Sequence, residues 1–129
     1  MKFYIIPNMT RKNSKCVTES VLNKLSELSC TAVMTKGLES VFSSFSNVEY
    51  CDSKDVINDC FAVVSVGGDG SFIHAAKIAT EYNKPILCVN AGKLAYLACL
   101  ESDEIKLLEK VIKNEYLTEK RMILDVSII

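Results

Sequence analysis

Phe61-Ala62-Val63-Val64-Ser65-Val66-Gly67-Gly68-Asp69-Gly70-Ser71, running on into Phe72-Ile73-His74-Ala75-Ala76-Lys77, reads as an apolar strand, a turn holding three glycines and one carboxylate, and the start of a helix. The run before the glycines is β-branched and aromatic with only Ser65 polar, which suits a strand buried on both faces of a parallel sheet. Glycine at the end of such a strand lets backbone approach backbone. The N–H groups that open the following helix then point into the turn, where they favour an anion such as phosphate. The spacing is not the dinucleotide fingerprint, which needs glycine where Ile73 stands, and it is not a P-loop, because no Gly-Lys-Ser/Thr follows. Asp69 sets the chemistry: a carboxylate among phosphate-binding amides repels the ligand unless it accepts the proton of a hydroxyl or meets a bridging Mg²⁺. Both options belong to phosphoryl transfer onto an alcohol. The plainer alternative is a strand-to-helix turn in which Asp69 only complements the helix dipole.

Outward from this stretch, strands and helices alternate. Lys2 to Ile6 reads as a first strand, ended by Pro7-Asn8. A helix capped by Ser14 and running to about Leu28 follows, because Val17, Val21, Leu22, Leu25 and Leu28 recur at helical spacing. A strand at Thr31 to Met34 comes next, and then a weakly patterned region, with a short helix through Val41, Phe42 and Phe45 and an extended piece at Val48 to Tyr50. After the central strand, Phe61 to Val66, the helix from Ser71 to about Tyr82 is broken by Asn83-Lys84-Pro85. Ile86 to Val89 forms another buried strand. Ser102 precedes a helix through Ile105, Leu108, Val111 and Ile112, with Asp103 and Glu104 in its first turn. The expected fold class is therefore α/β, a Rossmann-like, mostly parallel sheet with helices on both faces.

In such a sheet ligands bind beyond the carboxyl ends of the strands. Three segments should meet there: Asn8-Met9-Thr10-Arg11-Lys12, Gly67 to Gly70, and Asn90-Ala91-Gly92-Lys93. Arg11, Lys12 and Lys15 are candidates to screen a polyphosphate, although a charge cluster in an exposed loop is often merely solvated. His74, the one histidine, follows Asp69 by five residues and so points elsewhere, as a solvent-facing or capping side chain.

At 129 residues the chain is one domain, or one domain and the beginning of another. Hydrophobic residues make up 49% and charged residues 24%, enough to fill a core and too apolar for disorder. Fifteen basic against sixteen acidic residues give a formal charge of −1, which offers neither a nucleic-acid nor a membrane surface. No Cys-x-x-Cys pair occurs among Cys16, Cys30, Cys51, Cys60, Cys88 and Cys99, against a zinc or thioredoxin-like motif. Reduced cysteines acting as small core hydrophobes fit a cytoplasmic protein. The opening Phe3-Tyr4-Ile5-Ile6 ends at Pro7, too short for a signal-peptide core or a membrane span.

Taken together, Gly67-Gly68-Asp69-Gly70-Ser71, Ala75-Ala76-Lys77, Pro85-Ile86-Leu87, Asn90-Ala91-Gly92-Lys93-Leu94-Ala95-Tyr96-Leu97 and Arg121-Met122-Ile123-Leu124 resemble the amino-terminal domain of bacterial NAD kinases in order and spacing. The glycine block alone is shared with phosphofructokinases and with diacylglycerol and sphingosine kinases. The block after the next strand distinguishes the NAD kinases. The resemblance implies transfer of the terminal phosphoryl group of ATP, or of polyphosphate, to the 2′-hydroxyl of the adenosine ribose of NAD, giving NADP, with Mg²⁺ accompanying the donor. It makes Asp69 the catalytic base and places Gly68, Asp69, Gly70, Asn90, Gly92, Tyr96 and Leu97 against NAD, with Tyr96 where the family has a phenylalanine beside the adenine. Ser71 replaces the usual threonine, and Lys93 stands at a position often basic, facing phosphates. No metal-ligand residue is assigned. A homo-oligomer is expected for the full-length form.

Two departures stand out. Ala95 replaces a usual glycine, adding a methyl near the expected ligand. The resemblance also implies a β-rich second domain that holds most of the dinucleotide, and this stretch is expected to carry only its entry. The expected division is therefore residues 1–118 as the α/β kinase domain and 119–129 as the first strand of the second, and this stretch alone is expected to be inactive. Two rivals remain: another glycine-loop kinase acting on a lipid or sugar phosphate, and a non-catalytic nucleotide-binding or assembly domain.

Overall fold

The computed structural model describes residues 1–92 and 100–113. Lys93, Tyr96 and Leu97, the expected boundary at 118/119 and the strand-like Arg121 to Ile129 lie outside them. Five strands, β1 (Lys2–Pro7), β2 (Thr31–Thr35), β3 (Val48–Cys51), β4 (Ala62–Gly67) and β5 (Ile86–Asn90), form one sheet in the order β3-β2-β1-β4-β5, and all four pairings are parallel. The helices are α1 (Ser14–Glu27), α2 (Glu39–Phe42), α3 (Asp69–Glu81) and α4 (Leu108–Ile112). Short 3-10 turns occupy Lys36–Leu38, Lys54–Asp59 and Ile105–Leu107.

The two-residue period of the strands sorts the core. Phe3, Ile5, Ala32, Met34, Ala62, Val64 and Val66 face α1, whose Val17, Val21, Leu22 and Leu25 cover them. Tyr4, Val33 and Val63 face the other way, against Ala75, Ile78 and Ala79 of α3. Each fully buried Val or Leu in these layers contributes roughly 1.5–3 kcal/mol of transfer free energy. Both long helices stop in the same way. Ser29 and Asn83 take left-handed backbone, φ 59° and 53°. The next N–H reaches back to the helix, from Cys30 to Leu25 O at 2.8 Å and from Lys84 to Ala79 O at 2.9 Å. This is the Schellman pattern with Ser and Asn in place of the usual glycine.

Several local expectations are corrected. Asn13, not Ser14, is the N-cap of α1. Ser14 lies inside the helix, fully buried, and its hydroxyl has no partner, as is also true of Thr18 one turn later. Cys16 is exposed because it falls on the outer face of α1, whereas Cys30, Cys60 and Cys88 are buried and Cys51 is partly so. The last described helix opens as a 3-10 turn at Ile105, so Asp103 and Glu104 precede it. The largest change in meaning concerns α3, which starts at Asp69 rather than Ser71 and so carries the carboxylate in its own first turn.

Candidate functional site

The strand order reverses between β1 and β4, and a crevice at the carboxyl ends of strands on either side of such a point is where open α/β sheets bind ligands. The three expected segments are brought together there by backbone. Asn8 N–H donates to Val66 O at 2.8 Å, and Ala91 N–H donates to Gly67 O at 2.9 Å. Gly67 also pairs with Asn90 at the end of the β4–β5 ladder.

The β4–α3 turn is shaped by contact. A Cβ on Gly67 would lie 2.5 Å from Ser71 Oγ, 2.8 Å from Ser71 Cβ and 3.1 Å from Asn8 Cβ, so only glycine lets the helix turn back onto the strand. Gly68 is the N-cap, and the donation from Phe72 N–H to Gly68 O at 3.0 Å opens the helical ladder. Asp69, Gly70 and Ser71 therefore supply first-turn N–H groups that have no carbonyl of their own helix to meet. Asp69 is half-buried at this edge and Gly70 is exposed. A Cβ on Gly70 would meet nothing within 4 Å, so the protein itself does not require glycine there.

The turn after β5 is held by side chains instead. Asn90 is buried, its Oδ1 accepts the Gly92 N–H at 2.9 Å, and its Nδ2 donates to Glu101 Oε2 at 2.9 Å. Glu101 is placed by its neighbour Leu100, which bridges Val89, accepts the Asn90 N–H at 2.8 Å and donates to Cys88 O at 3.0 Å. Its own N–H donates to Glu104 Oε1 at 3.0 Å. Glu101 is the site residue the sequence reading missed. Nothing in its surroundings, Leu100-Glu101-Ser102, marks it as anything but a helix approach.

Arg11 joins the two turns. A Cβ on Gly68 would lie 2.8 Å from one terminal guanidinium nitrogen of Arg11, and a Cβ on Gly92 2.8 Å from the other. The planar fork is thus seated between the glycines, a placement suited to a phosphate or carboxylate ligand. Its loop is shaped by Asn8, whose Oδ1 accepts from Thr10 N–H at 3.2 Å and Thr10 Oγ1 at 2.6 Å. Lys12 and Lys15 are exposed nearby. His74 is exposed on α3, one turn beyond the site, as expected. On the same face of the sheet Tyr4 is buried, and burial pushes its hydroxyl and the Cys60 thiol up from their ordinary values, keeping both neutral. Among the described residues no group of three His, Cys, Asp or Glu forms a metal-holding cluster, and no helix is long and apolar enough to cross a membrane.

The chain resembles known proteins over nearly all its length. It is 31% identical over 130 residues to an NAD kinase of Thermoanaerobacter sp. (strain X514), covering 99% of this chain and 45% of that one. Over 70 residues it is 43% identical to an NAD kinase of Mycolicibacterium paratuberculosis, covering 54% of this chain and 23% of that one. The chain thus spans less than half the length of the curated relatives it matches. Its fold superposes on the crystal structure of yeast NADH kinase complexed with NADH with a TM-score of 0.68, at 17% identity, covering 88% of this chain and 35% of that one. The family model described as the ATP-NAD kinase N-terminal domain matches residues 3–116. By that match the chain belongs to the NAD kinase family.

Proposed function

We propose that this chain is the catalytic α/β part of an enzyme that phosphorylates the 2′-hydroxyl of the adenosine ribose of NAD, forming NADP. The observation that carries this reading is the position of Asp69. It sits in the first turn of α3, at the carboxyl end of a central parallel strand, beside the Asn90–Gly92 turn.

The acceptor ribose would lie against Asn90, Gly92 and the stretch bearing Tyr96 and Leu97, with its hydroxyl toward Asp69. As the hydroxyl oxygen bonds to the terminal phosphorus of ATP, the bond from that phosphorus to the bridging oxygen breaks, ADP leaves, and Asp69 takes the hydroxyl proton. The Asp69, Gly70 and Ser71 N–H groups and the Arg11 fork would receive the charge spread over the transferred oxygens, and Lys12 and, by the family resemblance, Lys93 would add positive charge. Mg²⁺ is expected to arrive with the donor. A site whose described residues bring Asp69 and Glu101 but no group of three His, Cys, Asp or Glu fits a cation held mainly by nucleotide phosphates. The free thiols of Cys16, Cys30, Cys51 and Cys60 accord with a cytoplasmic enzyme.

We assign residues 1–118 to this part and 119–129 to the entry of the further length found in the relatives, whose full form we take to be a homo-oligomer. In the protein at that full length, a coupled assay for NADP should show Asp69→Asn slowing turnover by about a hundredfold or more, with NAD affinity little changed. Near-normal turnover would remove Asp69 from the chemistry. The 129-residue chain alone should fold yet form no NADP, because holding both substrates in line takes groups beyond it.

A further inference from the structure

The chain leaves β5 at Asn90 and is beside it again at Leu100. Asn90 N–H donates to Leu100 O at 2.8 Å, and Leu100 N–H donates to Cys88 O at 3.0 Å. The two ends of the intervening stretch, which carries Gly92 in its first residues and Tyr96 and Leu97 further on, are therefore fixed at one place on the sheet. A side-chain bond closes those ends, from Asn90 Nδ2 to Glu101 Oε2 at 2.9 Å.

The form of this closure defines what Glu101 does. Asn90 is 2% exposed, with Oδ1 engaged by the Gly92 N–H and Nδ2 by Glu101. So little of its surface is open that it acts on a ligand through what it holds. An amide side chain can turn end for end with almost no change of shape, and its partners decide which end faces where. An ionised carboxylate only accepts. By taking Nδ2, Glu101 leaves Oδ1 for the Gly92 N–H, which in the opposite orientation would meet a second donor. Glu101 is itself held, since its N–H donates to Glu104 Oε1 at 3.0 Å and its neighbour Leu100 bridges Val89. The turn that carries Asp69 is set instead by Gly67 against Ser71 and Asn8, contacts in which Glu101 takes no part.

We propose that Glu101 is a positioning residue for the phosphoryl acceptor: it fixes the orientation of the Asn90 amide, and through it the Gly92 turn that the dinucleotide binds against. This rests on the reading of NAD as the acceptor beside the Asn90–Gly92 turn. Because the Asp69 turn is closed separately, Glu101 governs how well NAD is held and leaves the transfer step alone.

The test is steady-state NADP formation by the protein at the full length of its relatives, with NAD and ATP varied in turn. Glu101→Ala should raise KM for NAD about tenfold, with kcat and KM for ATP unchanged. Glu101→Gln still offers an oxygen to Asn90 Nδ2 and should keep KM for NAD within about twofold of the unaltered protein. Asn90→Asp sets two carboxylates face to face and should raise KM for NAD at least as much as Glu101→Ala. Asn90→Asp combined with Glu101→Gln exchanges donor and acceptor across the same bond and should recover most of that loss, which a merely space-filling role would not do. KM for NAD unmoved by Glu101→Ala, a fall in kcat as its main effect, or no recovery in the double variant would each overturn the proposal. An unaltered protein that forms no NADP from NAD would take down the acceptor reading and this proposal together, whereas an active one indifferent to Glu101→Ala would take down the role of Glu101 alone.

Discussion

Two glycine-bearing turns meet at one edge of the sheet, yet they are made differently. The turn after β4 is closed by steric fit, with Gly67 pressed against Ser71 and Asn8. The turn after β5 is closed by polar pins, Asn90 holding Gly92 on one side and Glu101 on the other. A steric closure is rigid and brings the helix terminus and Asp69 to a fixed place, which positioning-dominated catalysis needs. A polar closure is specific but adjustable, suited to recognising a ligand.

If this contrast is right, Gly67→Ala should be the most damaging substitution. Its methyl would collide with the Cβ of a helical residue that cannot move without α3, so a loss of about 3 kcal/mol is expected in urea denaturation. A change of less than about 1 kcal/mol would show that the turn yields and that the contrast is false.

Asn90→Ala should cost about 1–2 kcal/mol, since it leaves the Gly92 N–H and the Glu101 carboxylate without their partner. Glu101→Ala removes only one of the two pins and should cost less. Equal losses in the same denaturation series would mean that Glu101, not Gly92, is what Asn90 is there to hold.

Gly70→Ala should run the other way. The position is helical and a methyl finds open space, so the chain should gain about 0.5–1 kcal/mol, while the exposed N–H groups of the turn become harder for a ligand to approach. Higher stability with weaker tripolyphosphate binding would mark Gly70 as glycine for the ligand's sake. Higher stability with unchanged binding would remove it from the site.

The smallest effect is expected at Gly92→Ala. Its methyl would meet a neighbour at 2.8 Å just as closely as one of the contacts at Gly67, but that neighbour is the end of a flexible arginine. The change should stay within about 0.5 kcal/mol and be felt instead as weaker anion binding, as Arg11 is pushed aside. A large stability loss would show the fork to be part of the fold.

Local pattern was enough for much of this molecule. Phe61 to Val66 could be read as a strand buried on both faces because each residue in it but one is apolar. Gly67 to Ser71 could be read as a strand-to-helix turn because glycine and a helix start have local causes. Alternation of strands and helices was enough for a parallel sheet, since short loops leave no other arrangement. The errors came where two neighbouring residues compete for one role. Asn13 and Ser14 are both good caps, and burial of Ser14 against the core decided between them. Cys16 is chemically like the buried cysteines and differs from them only in the face of α1 on which it falls.

What no stretch of sequence could show is which distant groups meet. Arg11 looked like one of three loop cations until chain folding seated it, and neither Lys12 nor Lys15, between Gly68 and Gly92. Glu101 lies eleven residues from the amide it holds. A cavity of about 330 Å³ draws on β1, β2, two 3-10 turns and α3, from Tyr4 to Ile78. Secondary structure and the chemistry of a turn follow from neighbours along the chain, because φ, ψ and capping are short-range. Contacts such as these follow from the order of the strands, which is settled by the burial of whole faces and leaves no mark on any one segment.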